Sequence, residues 1–292
     1  MWNTQQGEKK NARGSMKTDK KLLSNLNQVD LGSSKVPDKL KEAWYSFNAD
    51  GFKYDYVYMP SKGKRLFVLL SGFADRKKLE PPVFQRWTWS SIFPGHCLYI
   101  ADPILSSYDN LGIGWYIGNK AEKVILTVAE LIKESAQKLG IPLENVVLYA
   151  SSGGGFASLQ LSALIPELTA IVINPQIDVT KYDNRNVEKL LNTCFDGMTR
   201  EEAISVYESR FSVLPLIDKI KGNQIFYVQN KLDSHHYEVH FGAFAEKIGL
   251  NEANGYKKDA IEVFFFEDPK GHAVAEPAEL VNELMGRIRQ KI

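Results

Sequence analysis

The sequence predicts an α/β fold in which a mainly parallel central sheet carries helices on both faces. Continuously apolar runs such as 65–71 and 96–101 have the pattern of strands that are covered on both sides. Segments with helical spacing of apolar residues, such as 120–139, alternate with these runs. Because strands that alternate with helices of this length pair in parallel through crossovers, the pattern favours one layered α/β unit.

The predicted elements follow one another without an internal repeat or linker between residues 50 and 292. An outer strand is expected at 52–59, where apolar and charged residues alternate. Further strands are expected at 65–71, 96–101, 146–150, 170–174, 223–229 and 260–267. Further helices are expected at 120–139, 156–164, 237–248 and 277–291. Short helical pieces at about 185–218 predict a small cap-like insertion within this domain.

The first 20 residues differ from the rest of the chain. They are polar and Lys-rich without an apolar period, which is typical of a disordered basic tail, and Gly14-Ser15-Met16 is typical of a cloning remnant. We therefore expect a single domain over residues 21–292, a length that can bury a large core at 44% hydrophobic content.

Composition and charge exclude several functional classes. A net charge of +1, without a basic stripe interleaved with aromatic residues, argues against nucleic-acid binding. Two cysteines are too few for a disulfide scaffold, and no Cys/His cluster has zinc-ligand spacing, so no metal is expected. No apolar run approaches the ~18 residues of a membrane span, and the start of the sequence has no signal-peptide pattern, so we expect a cytoplasmic protein.

The stretch from Val146 to Ala157 has the order strand, sharp turn, helix. This is the context of a nucleophile elbow, whose pattern is small-x-Ser-x-Gly. Centred on Ser152 the pattern fits, whereas centred on Ser151 it would place Tyr149 where the strained turn needs a small residue. An apolar run followed by Ser-Gly-Gly-Gly also occurs in phosphate loops and plain turns, so the motif needs partners elsewhere in the chain.

Those partners follow other predicted strands. Asp233 follows one strand, His272 follows the last, and Gly72-Phe73 follows an early one. In an open parallel sheet, functional groups gather beyond the carboxyl ends of the strands. The chain order Ser152, Asp233, His272 is that of α/β-hydrolases, and the fold class is therefore predicted to be an α/β-hydrolase fold.

Each of these residues fits a role in nucleophilic catalysis. Ser152 needs a base to remove its proton, which predicts His272, and Asp233 would orient that imidazole. Backbone N–H groups of Phe73 and Gly153 would form the oxyanion hole. Alternatives remain: Asp102 as the orienting carboxylate, Asp233 as a helix N-cap only, His272 as an ordinary loop residue and His235 as a competing base.

Further residues near the predicted strand ends are candidates for binding substrate. We expect Gln176 and His236 to line the pocket, and Trp115 and Tyr116 either to stack on a sugar ring or to anchor a loop. His240 is expected on the surface of the helix that follows Asp233.

The motifs together resemble the bacterial polysaccharide O-acetyltransferases of α/β-hydrolase fold and, more distantly, the acetyltransferase-like proteins of accessory Sec systems. The resemblance covers roughly residues 50–292. Four motifs carry it: Ser151-Ser152-Gly153-Gly154-Gly155, Asn174-Pro175-Gln176, Asn230-Lys-Leu-Asp233-Ser-His and Gly271-His272. Two features differ from the family pattern, since lysine often follows the serine where this chain has Gly153, and the loop around Trp115 is longer and more aromatic.

The resemblance implies a catalytic Ser152, Asp233 and His272, acetyl-CoA as a co-substrate rather than a bound cofactor, and a saccharide hydroxyl as acceptor. The expected function is therefore acetyl transfer through an acyl-enzyme in capsular or surface polysaccharide modification. An esterase or deacetylase with the same triad is the alternative, and an inactive scaffold in a polysaccharide or secretion assembly is the third. The sequence leaves open whether the protein forms a homodimer.

Overall fold

The computed structural model describes residues 23, 25–273 and 276–289, and the predicted tail at 1–20 lies outside them. Within that part, the strands form one ten-stranded sheet. The strands are β1 (Gln28–Asp30), β2 (Ala43–Ala49), β3 (Phe52–Met59), β4 (Leu66–Leu70), β5 (His96–Ile100), β6 (Val146–Ser151), β7 (Thr169–Ile173), β8 (Gln224–Asn230), β9 (Lys257–Lys258) and β10 (Ile261–Phe266).

Helices connect most of the later strands. They are α1 (Pro103–Ser107), α2 (Val124–Leu139), α3 (Ser152–Ser162), α4 (Asn184–Cys194), α5 (Arg200–Phe211), α6 (Ile217–Ile220), α7 (Gly242–Ile248) and α8 (Ala278–Arg289). A π-helical segment, His236–Phe241, runs directly into α7. None of the helices in the described part of the chain is long and apolar enough to cross a membrane.

The sheet has the order β1-β2-β3-β5-β4-β6-β7-β8-β10-β9. The six consecutive strands from β5 to β10 in this order are all parallel. Their carboxyl ends therefore lie along one edge, and β4, β6, β8 and β10 bring the segments after them to that edge. The mainly parallel α/β architecture predicted from the sequence is confirmed.

Side chains alternate between the two faces of the sheet and enter two separate cores. On β4, Leu66, Val68 and Leu70 face one core together with α2 and α3, while Phe67 and Leu69 face the other core together with α8. Both faces of β4 are covered, and the strand is accordingly apolar at every position. The elbow at the end of β6 is therefore supported from both sides.

One prediction about the sheet was wrong. The strand at 52–59 was expected at the outside, but β2 pairs with it in a hairpin and β1 adds a further strand beyond β2. The signal for β2 is present in the sequence, since Ala43, Tyr45 and Phe47 are buried in alternation with less buried residues. The Asp50-Gly51 pair that follows is a strong hairpin turn.

The predicted insertion at 185–218 consists of α4, α5 and the start of α6. Arg210, a buried side chain near the end of α5, attaches the insertion to the rest of the domain. Its Nη2 donates to the carbonyl oxygens of Ile117, Asn119 and Glu122. The insertion thus packs against the loop that carries Trp115.

Candidate active site

Ser152 lies at the turn between β6 and α3, with φ of +55°. This left-handed conformation is rare outside glycine, and it is the strained backbone expected of a nucleophile elbow. The glycines that follow permit close packing of the turn. A Cβ at Gly154 would lie 2.8 Å from the carbonyl oxygen of Leu70, and one at Gly155 would lie 2.8 Å from Cβ of Pro175.

Three side chains from separate loops meet at this turn. His272 Nε2 lies 2.9 Å from Ser152 Oγ, and His272 Nδ1 lies 2.7 Å from Asp233 Oδ2. Ser152 and Asp233 are buried, whereas the side chain of His272 is 33% exposed. The imidazole is therefore partly open to solvent, while the hydroxyl and the carboxylate are shielded.

A second chain of hydrogen bonds reaches Ser152 through Gln176. The indole Nε1 of Trp115 can only donate, and it lies 3.0 Å from Gln176 Oε1, which fixes the orientation of the amide. Gln176 Nε2 then donates to Ser152 Oγ over 2.8 Å and to His236 Nε2 over 3.0 Å. His236 must consequently carry its proton on Nδ1, from which it donates to Asp233 Oδ1 over 3.1 Å.

Asp233 therefore accepts hydrogen bonds from two imidazoles. The rings of His236 and His272 are stacked, with centroids 3.9 Å apart and planes at 9°. Burial alone would raise the pKa of Asp233, but the hydrogen bonds from His236 and His272 outweigh it and hold that pKa well below its usual range. Burial, assisted by the nearby His272, lowers the pKa of His236, so the second imidazole stays neutral.

The loop after β4 packs directly on the elbow. A Cβ at Gly72 would lie 3.4 Å from the carbonyl oxygen of Ser151 and 3.7 Å from the amide nitrogen of Gly153. Gln85 holds the loop from the other side, because it accepts from the Gly72 amide and donates to the carbonyl of Phe73. The predicted oxyanion donors, Phe73 and Gly153, thus belong to two segments that touch, and the Phe73 side chain is 46% exposed.

Two asparagines join the loops that carry the acid and the base. Asn230 is fully buried, and its Nδ2 donates to the carbonyls of Asp268 and Gly271, while its Oδ1 accepts from the amides of Leu232 and Asp268. Asn174 accepts from the amide of Asn230. The segments carrying Asp233 and His272 are therefore held at a fixed spacing by one side chain.

A buried ion pair fixes the segment just after the base. Arg86 Nη2 contacts Glu276 at 3.1 Å and donates to Ser151 Oγ at 3.0 Å. The hydroxyl of Tyr149 also donates to Glu276. Burial would raise the pKa of Glu276, but Arg86 outweighs it and keeps that pKa low. Ser151 therefore binds the buried Arg86–Glu276 pair, whereas Ser152 contacts His272.

The aromatic candidates occupy different places from those expected of a sugar platform. Trp115 and Tyr116 are 1% and 0% exposed, so neither ring presents a face to solvent. Trp115 orients Gln176, and the Tyr116 hydroxyl accepts from the Ser71 amide and donates to the Ile100 carbonyl. They are structural supports beneath the site.

The alternative acid and base lie elsewhere. The Asp102 carboxylate accepts from the amides of Ile104 and Tyr116 and caps α1. His235 is exposed, and its Nε2 lies 2.9 Å from the carbonyl of Lys181. Among the described residues, the contacts place Asp233 and His272, rather than Asp102 and His235, beside Ser152.

The prediction that His240 lies on a helix surface was wrong. The residue is fully buried, because the π-helical segment turns both His236 and His240 inward. The amide of Ile177 donates to His240 Nδ1 at 3.3 Å, and in the part of the chain that the structure describes Nε2 has no hydrogen-bond partner. Burial and the neighbouring His236 lower the pKa of His240 to about 3.

Gly153 and the Trp115 loop fit each other. A Cβ at Gly153 would lie 2.6 Å from Cδ1 of Ile113 and 3.2 Å from Cδ1 of Trp115. A larger residue after the nucleophile would therefore displace the loop that positions Gln176. Gly153 and the longer loop around Trp115 are the two features in which the sequence differs from the family pattern. They are linked, because the loop occupies the space that a side chain at position 153 would need.

Asp233, His236 and His272 also bring possible ligand atoms within 4.8 Å of one another. The spacing is compatible with a metal ion. However, Asp233 already accepts from both imidazoles, and His272 Nε2 faces Ser152. These contacts give each of the three side chains a hydrogen-bond partner within the cluster or at Ser152.

Comparison with solved structures places the chain in the α/β-hydrolase fold, whereas no family model and no curated protein matches it significantly in sequence. The capsule O-acetyltransferase of Neisseria meningitidis serogroup A, solved with CoA, is 18% identical with a TM-score of 0.60 over 91% of this chain and 99% of that one.

Two other solved structures are similar to a comparable degree. A glycosylation-associated protein complex (Gap123) of Streptococcus agalactiae gives a TM-score of 0.60 at 16% identity, and the match spans 84% of this chain but only 45% of that one. Acetyl xylan esterase 1 of Thermoanaerobacterium sp. gives 0.59 at 14% identity, over 86% and 87%. At these identities the likeness establishes the fold.

We expect Gln176→Leu to slow the labelling of Ser152 by a fluorophosphonate probe about tenfold, because the hydroxyl loses the donor that orients Oγ for proton transfer to His272 Nε2. A tenfold change in rate corresponds to about 1.4 kcal/mol in the barrier. The rate of covalent labelling, followed by intact mass, measures this. Ser151→Ala is the matched control, since Ser151 contacts Arg86 and not the triad. Equal labelling rates for Gln176→Leu and the wild type would show that the hydrogen bond from Gln176 does not affect the reactivity of Ser152.

The buried His240 predicts a loss of stability on acidification. Its folded pKa of about 3 lies below the ordinary 6.5, so the unfolded chain takes up a proton below pH 6.5 while the folded chain does not. The free energy of unfolding should fall by up to about 1.4 kcal/mol per pH unit from this residue between those two values. The pKa of His236, whose ring packs against that of His240, is also lowered. It therefore also makes the free energy of unfolding fall on acidification.

Urea unfolding at about pH 7 and about pH 5 measures this dependence. His240→Asn can still accept from Ile177 and should reduce the slope without abolishing it, because His236 remains. A variant with the full wild-type slope would contradict the assignment.

Proposed function

We propose that the protein transfers an acetyl group to a saccharide hydroxyl through an acyl-enzyme on Ser152. The observation that carries this proposal is the unbroken chain of hydrogen bonds from Ser152 through His272 to Asp233. A serine hydroxyl becomes a useful nucleophile when an imidazole can take its proton and a carboxylate stabilises the resulting imidazolium. The geometry meets both requirements.

The reaction would proceed in two halves. Ser152 Oγ attacks the thioester carbonyl of acetyl-CoA while His272 Nε2 takes the hydroxyl proton, and the CoA thiolate leaves with that proton. The sugar hydroxyl then attacks the acyl-enzyme, His272 takes its proton, and the proton returns to Ser152 Oγ as the ester product departs. The amides of Phe73 and Gly153 would stabilise the oxyanion in both halves.

A cleft beside the predicted oxyanion loop supports a place for the acyl donor. It has a volume of about 420 Å³, and Phe73, Gln85 and Arg86 lie along it on the side of the elbow. Lys78 lines the same cleft, and its ammonium pairs with Asp75 at the surface. The rim also carries the carboxylates of Asp75 and Glu80, so the cleft would offer the acyl donor a polar entrance beside the elbow rather than a net positive charge.

The choice of acceptor rests on the sequence motifs and on the structural neighbours. One neighbour is a capsule O-acetyltransferase solved with CoA, and another is an acetyl xylan esterase. Both names concern acetyl groups on polysaccharides. An esterase that uses the same triad is the second candidate, because the part-exposed imidazole of His272 would also activate water.

The transferase proposal predicts that acetyl-CoA together with an acceptor glycan releases free thiol in a Ser152-dependent reaction. Thiol release measured with a chromogenic disulfide, across a panel of capsular and surface glycans, should exceed release with acetyl-CoA alone. Ser152→Ala should abolish the reaction, while Ser151→Ala should retain it because Ser151 contacts Arg86 instead.

The same variants separate the two candidate activities. If p-nitrophenyl acetate turns over at the same rate with and without the glycans, and none of them becomes acetylated, the esterase is favoured. Failure of Ser152 to react with acetyl-CoA, p-nitrophenyl acetate and a fluorophosphonate would overturn both proposals and favour the inactive scaffold.

A further inference from the structure

A second cavity lies behind Trp115, among α2, α3 and the helical insertion. It has a volume of about 180 Å³, and none of the triad residues lines it. Its walls are mainly apolar, with contributions from Trp115, Leu126, Phe156, Leu164 and Leu216. Such a cavity suits a small molecule rather than an extended chain.

Positive charge surrounds this cavity. Lys123, Lys219 and Arg210 line it, and no carboxylate is among the lining residues. Within the described chain neither lysine forms an ion pair, although Lys221, two residues beyond Lys219, pairs with Asp218. The two lysines are therefore available to an anion.

Arg210 adds a buried cation. The residue is only 7% exposed, and its guanidinium stacks on Phe195 and Tyr207. Its Nη2 donates to backbone carbonyls, but its buried Nε has no hydrogen-bond partner among the described residues. A buried guanidinium without a carboxylate partner is uncommon, because the charge loses solvation that neutral carbonyls only partly replace.

We propose that this cavity binds a small amphipathic carboxylate, with the carboxylate at the Lys123 and Lys219 rim and the alkyl or aromatic body against Phe156 and Leu164. The long-range field of Arg210 would favour the anion. The small volume restricts the apolar part to a short chain or a single ring system. The site is separate from the triad and does not depend on the reaction proposed for it.

The cavity is also linked to the nucleophile. Trp115 lines the cavity on one side and orients Gln176 on the other, and Gln176 donates to Ser152. Trp115 and Tyr116 both have left-handed backbone, with φ of +53° and +57°. An occupant that shifts Trp115 would therefore alter the hydrogen bond that reaches Ser152.

Calorimetric titration with octanoate tests the site, with octan-1-ol and octylamine as neutral and cationic probes. We expect saturable binding of octanoate that exceeds binding of both other probes. Lys123→Gln/Lys219→Gln should weaken it by up to about fivefold per lysine. Ala163→Phe should block it by filling the cavity, and Lys221→Gln, outside the lining, should leave it unchanged.

The link to the nucleophile is tested with the same proteins. Saturating octanoate should change the rate of Ser152 labelling by a fluorophosphonate in the wild type but not in Ala163→Phe. Circular dichroism and basal labelling confirm that the variants are folded. Absence of octanoate binding, equal binding of octan-1-ol, or equal loss in Lys221→Gln and the double variant would overturn the site. An equal change in labelling of Ala163→Phe would show direct competition at Ser152 instead.

Discussion

The carboxylate of Asp233 is the group on which the rest of the site depends. It is buried, and it remains ionised because two stacked imidazoles donate to its two oxygens. One imidazole, His272, faces Ser152, and the other, His236, faces Gln176. A buried carboxylate that lost either donor would incur a desolvation cost of several kcal/mol, so the loops around it must hold both rings in place.

Those loops are held by side chains that are themselves buried. Asn230 ties the acid segment to the base segment, and Arg86 with Glu276 ties the chain after the base to the strand beneath the nucleophile. The Trp115 loop completes the arrangement from the other side through Gln176, and Gly153 leaves room for it. The hydrogen bonds from Gln176 and from His272 thus converge on the hydroxyl of Ser152.

Much of this arrangement could be predicted from the sequence. The apolar runs revealed the parallel strands, and the residues at their carboxyl ends, Ser152, Asp233 and His272, indicated where the functional groups would meet. This works because parallel strands bring their ends to one edge of the sheet regardless of their separation in sequence. The sequence also identified Ser152 rather than Ser151 as the elbow serine. The residue two positions earlier must be small, and it is Ala150 for Ser152 but Tyr149 for Ser151.

Other features could not be predicted, because they depend on tertiary packing. Arg86 and Glu276 are 190 residues apart, and neither belongs to a recognisable motif. The inward turn of His240 depends on a π-helical segment whose sequence has no distinctive period. The sequence favours Trp115 as a core or loop anchor but also permits a binding platform, and only the packing of the loop on Gly153 decides between them.

We propose Ser152 as the nucleophile that accepts the acyl group. Incubation with acetyl-CoA without an acceptor, followed by acid quenching and peptide mass spectrometry, tests it most directly. We predict one acetyl group on the peptide that contains Ser152, its absence in Ser152→Ala and His272→Ala, and its disappearance from the wild type when a competent glycan is added. An unmodified wild-type protein, or an acetyl group on a different side chain that persists in Ser152→Ala, would show that Ser152 is not this nucleophile.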